Sequence, residues 1–159
     1  MKKLFFISGI FLFSCNTSSS NSQLQKKVDS LQAQLNNGYK PGLGEFMSQI
    51  QVHHAKLWFA GKYGNWPLAD FEVGEIQEAL TDIPKFCSDR PEIKSIGIID
   101  PAIDSISAAI KAKDEKRFDS SFTLLTATCN DCHKATNHGF NLIKIPETPP
   151  VTNQVFQPK

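Results

Sequence analysis

The chain has 159 residues, of which 40% are hydrophobic and 21% are charged, with 17 Lys and Arg against 16 Asp and Glu. This near-neutral balance excludes the strongly basic surface that nucleic-acid-binding proteins present, so no nucleic-acid partner is expected. Nothing repeats along the chain, and its length fits one folded domain of about a hundred residues.

The N-terminal stretch MKKLFFISGIFLFSC has the layout of a bacterial export signal. Its apolar run of roughly ten residues is about half of what a bilayer-spanning helix needs. Leu12 to Cys15 resemble the lipobox of bacterial lipoproteins, so we expect a signal peptide over residues 1–14 and a lipidated Cys15. The alternatives are an ordinary signal peptide cleaved nearby and a short signal anchor. The predicted location is the cell envelope, on the periplasmic or outer-membrane face, with Cys15 anchoring the protein to the membrane.

Two short segments are predicted before the folded domain. Residues 15–23 are rich in Ser and Asn and have too little apolar surface to fold, which predicts a polar tether. Over residues 24–37, apolar residues follow one another at spacings of four, three and four, the seam of a short coiled coil. These residues are Leu24, Val28, Leu31 and Leu35. Two heptads do not decide between a helical spacer and a homo-oligomer formed through these residues.

Residues 43–138 are predicted to fold as four helices, because apolar residues recur there at helical spacing. The first helix runs roughly from Leu43 to Gly61. The second opens with Asn65 as its cap and a proline in its first turn, and it ends at Pro84.

Asp100, again followed by a proline, is predicted to cap the third helix, and Asp114 is predicted to cap the fourth. Short links join the first helix to the second and the third to the fourth, which forces antiparallel neighbours. The predicted fold is therefore an all-α, antiparallel four-helix bundle. Residues 139–159 are rich in proline and are predicted to form an extended tail. We expect Phe140, Leu142 and Ile145 to attach it to the bundle.

The fourth helix carries a C-x-x-C-H unit made of Cys129, Cys132 and His133. Since residues three and four apart share a helix face, all three project toward one side. Outside the cytoplasm such a unit can hold haem c covalently, ligate zinc, or cycle between thiols and a disulfide. A fourth cysteine, Cys87, is expected to pack as a small apolar residue.

The surrounding sequence favours haem. Zinc would need a fourth ligand from His53, His54 or His138, and no spacing supports one. A redox-active C-x-x-C pair usually begins a helix that follows a strand, whereas Cys129 and Cys132 lie near the end of a helix.

A four-helix chain with C-x-x-C-H in its last helix resembles the class II c-type cytochromes, the cytochrome c-prime group. Class I cytochromes carry the motif near their N-terminus and a methionine ligand well downstream, and this chain has no methionine after Met47. The stretches HHAKLWFAGKYGNWPLADFE and LTATCNDCHKATNHGF also resemble those of small exported bacterial cytochrome-like proteins. The resemblance implies that Cys129 and Cys132 form thioether bonds to haem and that His133 is the proximal iron ligand.

The distal iron ligand is less constrained, because a His53–His54 pair is not a usual feature of cytochrome c-prime. An antiparallel first helix would bring its first half level with His133, so the candidates are Met47, His53 and His54. His54 falls near the centre of the apolar face, which makes it the predicted distal ligand. The alternatives are Met47, an empty site, or a core histidine at position 54.

These observations predict a membrane-anchored c-type cytochrome that carries one electron and is not an enzyme. Its partners would be redox proteins of the cell envelope. One alternative is a five-coordinate haem protein that binds nitric oxide, carbon monoxide or peroxide. Another makes oligomerisation through residues 24–37 the main task of the protein.

Overall fold

The computed structural model describes residues 18–158, and of residues 18–20 and 36 it describes only the backbone. The described residues form α-helices and connecting segments without a β-strand, which confirms the all-α class. They divide into one compact unit that ends at Tyr39 and a second that begins at Lys40. The predicted signal peptide and Cys15 lie outside the described residues.

The first unit contains helix α1, Ser18–Asn36. The helix begins six residues before Leu24, so residues 18–23 are helical where the sequence predicts a polar tether. Extending an existing helix adds one hydrogen bond per residue without a new nucleus, which outweighs the weak helix propensity of Ser and Asn. The four apolar residues of the heptad pattern are 52–70% exposed. No helix within residues 18–158 has both the length and the apolarity to cross a bilayer.

The second unit contains the remaining helices. They are α2 (Leu43–Lys62), α3 (Trp66–Phe86), α4 (Ile93–Ile96), α5 (Asp100–Ala112) and α6 (Glu115–Ala135), with a 3-10 turn, Gly97–Ile99, before α5. The four long helices lie where the sequence predicts them. The short α4 occupies part of the connection that the sequence leaves without structure.

Two of the predicted helix caps are confirmed. The Asn65 side chain accepts a hydrogen bond from the backbone N–H of Leu68 at 3.3 Å, at the start of α3. The Asp114 carboxylate accepts one from the N–H of Arg117 at 3.0 Å, at the start of α6. Each cap satisfies a backbone donor that the first helical turn leaves without a partner.

One predicted helix end and one predicted cap are wrong. Helix α3 continues to Phe86, past Pro84, because the proline lies in the last turn and the N–H of Cys87 still bonds to the carbonyl of Ile83 at 2.8 Å. Asp100 does not cap α5, since its own backbone is helical, with φ −53° and ψ −46°. The backbone is already helical in the 3-10 turn before α5, so α5 needs no separate cap.

Helix α2 packs against α3 and α6, and α5 packs against the same two helices. The aromatic residues Trp58 of α2 and Phe118 and Phe122 of α6 stack along the core, with centroids 4.8 Å apart for Trp58 and Phe122. Gly61 permits this packing, because a Cβ atom there would lie 2.1 Å from the Phe118 ring. Helices α2 and α6 therefore come close at this end of the unit.

The described part of the tail, residues 139–158, has neither helix nor strand, as predicted. Phe140 and Leu142 are 85% and 70% exposed, so the expectation that they attach the tail is wrong for these two residues. Ile145 packs, partly buried, against the core, as predicted. Asn130 instead holds the backbone of Ile143 with two hydrogen bonds of 2.8 and 2.9 Å. Further along, the buried Phe156 packs on Phe59 with centroids 5.8 Å apart. The tail is therefore held to the helices both by the hydrogen bonds of Asn130 and by the apolar side chains of Ile145 and Phe156.

Candidate functional site

A cavity of about 320 Å³ lies beside the last turns of α6. The cavity is lined by apolar side chains of α2, by Leu80 of α3 and by apolar side chains of the segment before α5. All three residues of the C-x-x-C-H unit also line it. This volume is at the lower end of the range of about 300–1,000 Å³ typical of small-molecule and cofactor pockets. The structure thus places the predicted cofactor residues in a cavity that is mainly apolar.

Cys129 and Cys132 are free thiols in this cavity wall. Burial, assisted by the neighbouring Cys132, raises the pKa of Cys129 to about 11, and burial also raises the pKa of Cys132. The sulfur of Cys132 lies 3.7 Å from the carbonyl oxygen of Ser95, to which its S–H donates. Because both thiols stay protonated at neutral pH, the site does not favour the thiolate that redox exchange requires.

His133 lies half-buried in the last turn of α6, and its ring orientation is fixed by the tail. Its Nδ1 is 2.6 Å from the carbonyl oxygen of Asn141, which can only accept, so Nδ1 carries the proton. In the neutral imidazole, the other ring nitrogen, Nε2, then has the free lone pair. A histidine held in this tautomer by a backbone carbonyl is prepared to bind a metal through Nε2.

The tail reaches His133 through a reversal of the chain after α6. The N–H of His138 bonds to the carbonyl of His133 at 2.7 Å, and Asn137 adopts a left-handed backbone with φ 63°. The N–H of Asn141 then bonds to the carbonyl of His138 at 2.9 Å. Sequence reasoning missed Asn141, because its backbone carbonyl makes the contact and any residue type supplies one.

His54 also lines the cavity, and it is 4% exposed. The Thr126 hydroxyl donates to the carbonyl of Phe122 at 2.9 Å, so it accepts a hydrogen bond from His54 Nε2, also at 2.9 Å. Burial lowers the pKa of His54 from its usual 6.5 to about 4, which keeps the ring neutral. Its Nε2 therefore donates to Thr126, the arrangement expected of a core histidine.

The other two distal candidates are separated by the structure. Met47 lines the cavity and packs, partly buried, against the core. His53 is not among the residues that line the cavity, and its Nδ1 lies 2.6 Å from a carboxylate oxygen of the buried Glu72 on α3. The cavity thus brings Met47 and His54 together with the C-x-x-C-H unit and leaves His53 outside.

One edge of the cavity wall is polar, and its residues Arg90 and Glu92 were not predicted from the sequence. Arg90 Nη2 donates to Glu92 Oε1 at 2.7 Å. His138 Nε2 lies 4.0 Å from the same oxygen, while His138 Nδ1 donates to the carbonyl of Thr136 at 2.7 Å. A hydrogen bond from its own backbone N–H and the Arg90 guanidinium lower the pKa of Glu92, which favours the carboxylate. Neither Arg90 nor Glu92 belongs to a sequence motif, so no pattern indicates them.

Within residues 18–158, no three His, Cys, Asp or Glu side chains form a group that could hold a metal ion by themselves. Comparison with protein-family models, curated proteins and solved structures gives no match. The geometry of the cavity is therefore the evidence that the structure adds to the C-x-x-C-H motif.

Proposed function

We propose that the second unit binds one haem c covalently in this cavity. Cys129 and Cys132 would provide the two thioether bonds, and His133 Nε2 would bind the iron. The observation that carries the proposal is the hydrogen bond from His133 Nδ1 to Asn141, because it frees Nε2 and orients the ring of a residue that shares the cavity with both cysteines. Bound haem would supply one-electron exchange between ferrous and ferric iron.

The residues of the wall fit this group better than they fit zinc. Haem needs one or two axial ligands from the protein and an apolar surface around the ring, and Ile50, Leu80 and Ile99 supply part of such a surface. A structural zinc site needs four protein ligands, usually thiolates and imidazoles. The two partly buried thiols are in the protonated form that adds across a vinyl group, since desolvation raises the pKa of both.

We further propose that the four long helices form an antiparallel bundle. Three contacts between α2 and α6 support this order: His54 with Thr126 at 2.9 Å, Trp58 with Phe122, and Lys62 with Asp119 at 2.9 Å. Each step of four residues forward along α2 matches a step of three or four residues back along α6. Such a pattern is expected only when two helices run in opposite directions.

The same register bears on the distal ligand. Seven residues before His54 is Met47, and seven residues after Thr126 is His133, so the register brings Met47 level with His133. Met47 lines the cavity, whereas His54 uses its Nε2 for Thr126. These observations favour Met47 over His54 as the sixth ligand, and a haem with two axial ligands suits an electron carrier.

The proposed protein is therefore a c-type cytochrome that carries one electron and is held at the membrane by lipid on Cys15. It would exchange electrons with redox proteins of the cell envelope and catalyse no reaction. A five-coordinate haem that binds nitric oxide, carbon monoxide or peroxide is the alternative if neither Met47 nor His54 reaches the iron.

Expression of the full chain with a c-type maturation system tests the proposal. A denaturing gel should show a band at the mass of the protein that stains for haem. The double variant C129A/C132A should lose the stain, while C87A should keep it, because the buried Cys87 contacts the carbonyl of Pro41 and does not line the cavity. A colourless protein, or one with stoichiometric zinc, would refute the proposal.

A further inference from the structure

We propose that Arg90 binds the propionate groups of the haem and that Glu92 is the residue that positions it. This inference rests on the proposed function. Arg90 lies in the connection between α3 and α4, outside the C-x-x-C-H unit and outside the helix that carries it. It would be a cofactor-binding residue contributed by a different part of the chain.

The charge on the cavity wall is the first argument. Arg90 is the only Lys or Arg among the residues that line the cavity in the described part of the chain. A haem brings two carboxylates, and the wall already contains the carboxylate of Glu92. Since like charges at close range repel one another, the propionates need the one cation that this wall provides.

The geometry of the Arg90–Glu92 pair is the second argument. Glu92 has a side chain that is 11% exposed, and its Oε1 accepts from Arg90 Nη2 at 2.7 Å. The Arg90 side chain is 48% exposed, so its remaining N–H groups can reach a second acceptor. A guanidinium offers five donors in a planar fork that matches a carboxylate, and Glu92 uses one of them here. Glu92 thus holds one N–H group of the guanidinium, and the other N–H groups stay available to a ligand.

The position of the pair relative to His133 is the third argument. Glu92 Oε1 is 4.0 Å from His138 Nε2, and the carbonyl of His138 accepts from the N–H of Asn141 at 2.9 Å. The Asn141 carbonyl in turn accepts from His133 Nδ1 at 2.6 Å. The polar edge of the cavity is therefore continuous with the residue proposed to bind iron, and a haem held by His133 would have this edge beside it.

The test compares R90Q with R117Q, each prepared as the full chain with c-type maturation. Arg117 is the other arginine of the chain, is exposed, and does not line the cavity, so R117Q makes the same charge change elsewhere. R90Q should lower the reduction potential, because loss of a cation near the propionates favours ferric haem. The ferrous-to-ferric ratio at a fixed potential should fall on the order of tenfold, the effect of one unit charge in a partly desolvated site. R117Q should leave the ratio unchanged.

Resonance Raman spectra give a second readout that a general structural effect would not move. The propionate bending mode should shift in R90Q and stay at its wild-type position in R117Q. If R90Q does not fold, as judged by circular dichroism, R90K retains the charge but not the planar fork, and it should keep the potential while shifting the propionate mode. Haem-loaded R90Q or R90K with the wild-type propionate mode would overturn the inference. A wild-type protein without haem would instead overturn the proposed function, so the two failures are distinguishable.

Discussion

The Nδ1 atom of His133 lies 2.6 Å from the carbonyl oxygen of Asn141, eight residues further along the chain. This contact joins the end of α6 to the tail and selects the tautomer that leaves Nε2 free. It depends on the reversal at Asn137, whose backbone is left-handed with φ 63°. The left-handed residue Asn137 thus lies in the loop that brings the Asn141 carbonyl to the proposed iron ligand.

Substitution of Asn137 by Val should disturb this arrangement. A β-branched residue in the left-handed region costs roughly 1–2 kcal/mol, whereas Gly adopts it freely. We expect N137V to lower the free energy of unfolding by about that amount and to broaden the electron paramagnetic resonance signal of the haem, because the ring of His133 loses its fixed orientation. The control N137G should retain the wild-type spectrum. An unaltered spectrum in N137V would show that the reversal does not orient His133.

The sixth ligand can be assigned by comparing M47A with H54A. If Met47 binds the iron, the wild-type protein is low-spin, M47A becomes high-spin, and H54A stays low-spin in absorption and electron paramagnetic resonance spectra. The opposite pattern would assign the sixth ligand to His54, the residue that the sequence favours. A wild-type protein that is already high-spin and binds carbon monoxide readily would support the gas-binding alternative.

His54 should make folding stability depend on pH. Burial lowers its pKa in the folded state to about 4 from the usual 6.5, so the unfolded chain binds more protons between these values. The contribution of neutral His54 to the free energy of unfolding is therefore fully present above pH 6.5, and it is lost as the pH drops toward 4. The loss attributable to His54 should be about 2 kcal/mol between pH 7.5 and pH 5.

Urea unfolding of the wild type and of H54Q at both pH values measures this contribution. Glutamine does not titrate and can still donate to Thr126. The difference in the free energy of unfolding between the wild type and H54Q should therefore be small at pH 7.5 and larger at pH 5. A difference that does not change with pH would show that His54 is accessible to protons in the folded state.

Gly61 should not tolerate a side chain. A Cβ atom at this position would lie 2.1 Å from the buried Phe118 ring, so G61A should destabilise the fold by about 1–3 kcal/mol through overpacking. The matched control is Gly74 in the middle of α3, where a Cβ meets nothing within 4 Å. There, G74A should raise stability by roughly 0.5–1 kcal/mol, the usual preference for Ala over Gly in a helix. Thermal unfolding of both variants distinguishes the two effects.

Membrane attachment should depend on Cys15. The wild-type protein, expressed in bacteria that process lipoproteins, should partition into the detergent phase, because several acyl chains anchor a protein stably where one does not. C15A should move to the aqueous phase, and C87A should behave as the wild type does. Retention of C15A in the detergent phase would favour an uncleaved signal anchor.

The positions of the long helices could be predicted from the sequence, because helix formation depends on local patterns. Apolar residues at helical spacing located α2, α3, α5 and α6, and the side chains of Asn65 and Asp114 marked two starts that the structure confirms. The errors occurred where neighbouring structure changed a local signal. Pro84 fell in a last turn that tolerates it, and a 3-10 turn made a cap at Asp100 unnecessary.

The sequence by itself determined that Cys129, Cys132 and His133 share one side of a helix, since their spacing follows from the helical period. Only the tertiary structure decided what surrounds them. His54 bonds to Thr126, which is 72 residues away in the chain, and His53 lies beside Glu72. The tail places the backbone carbonyl of Asn141 next to His133. Such contacts depend on the packing of helices that are distant in the chain and on backbone atoms that every residue has. No local pattern of residue types therefore encodes them.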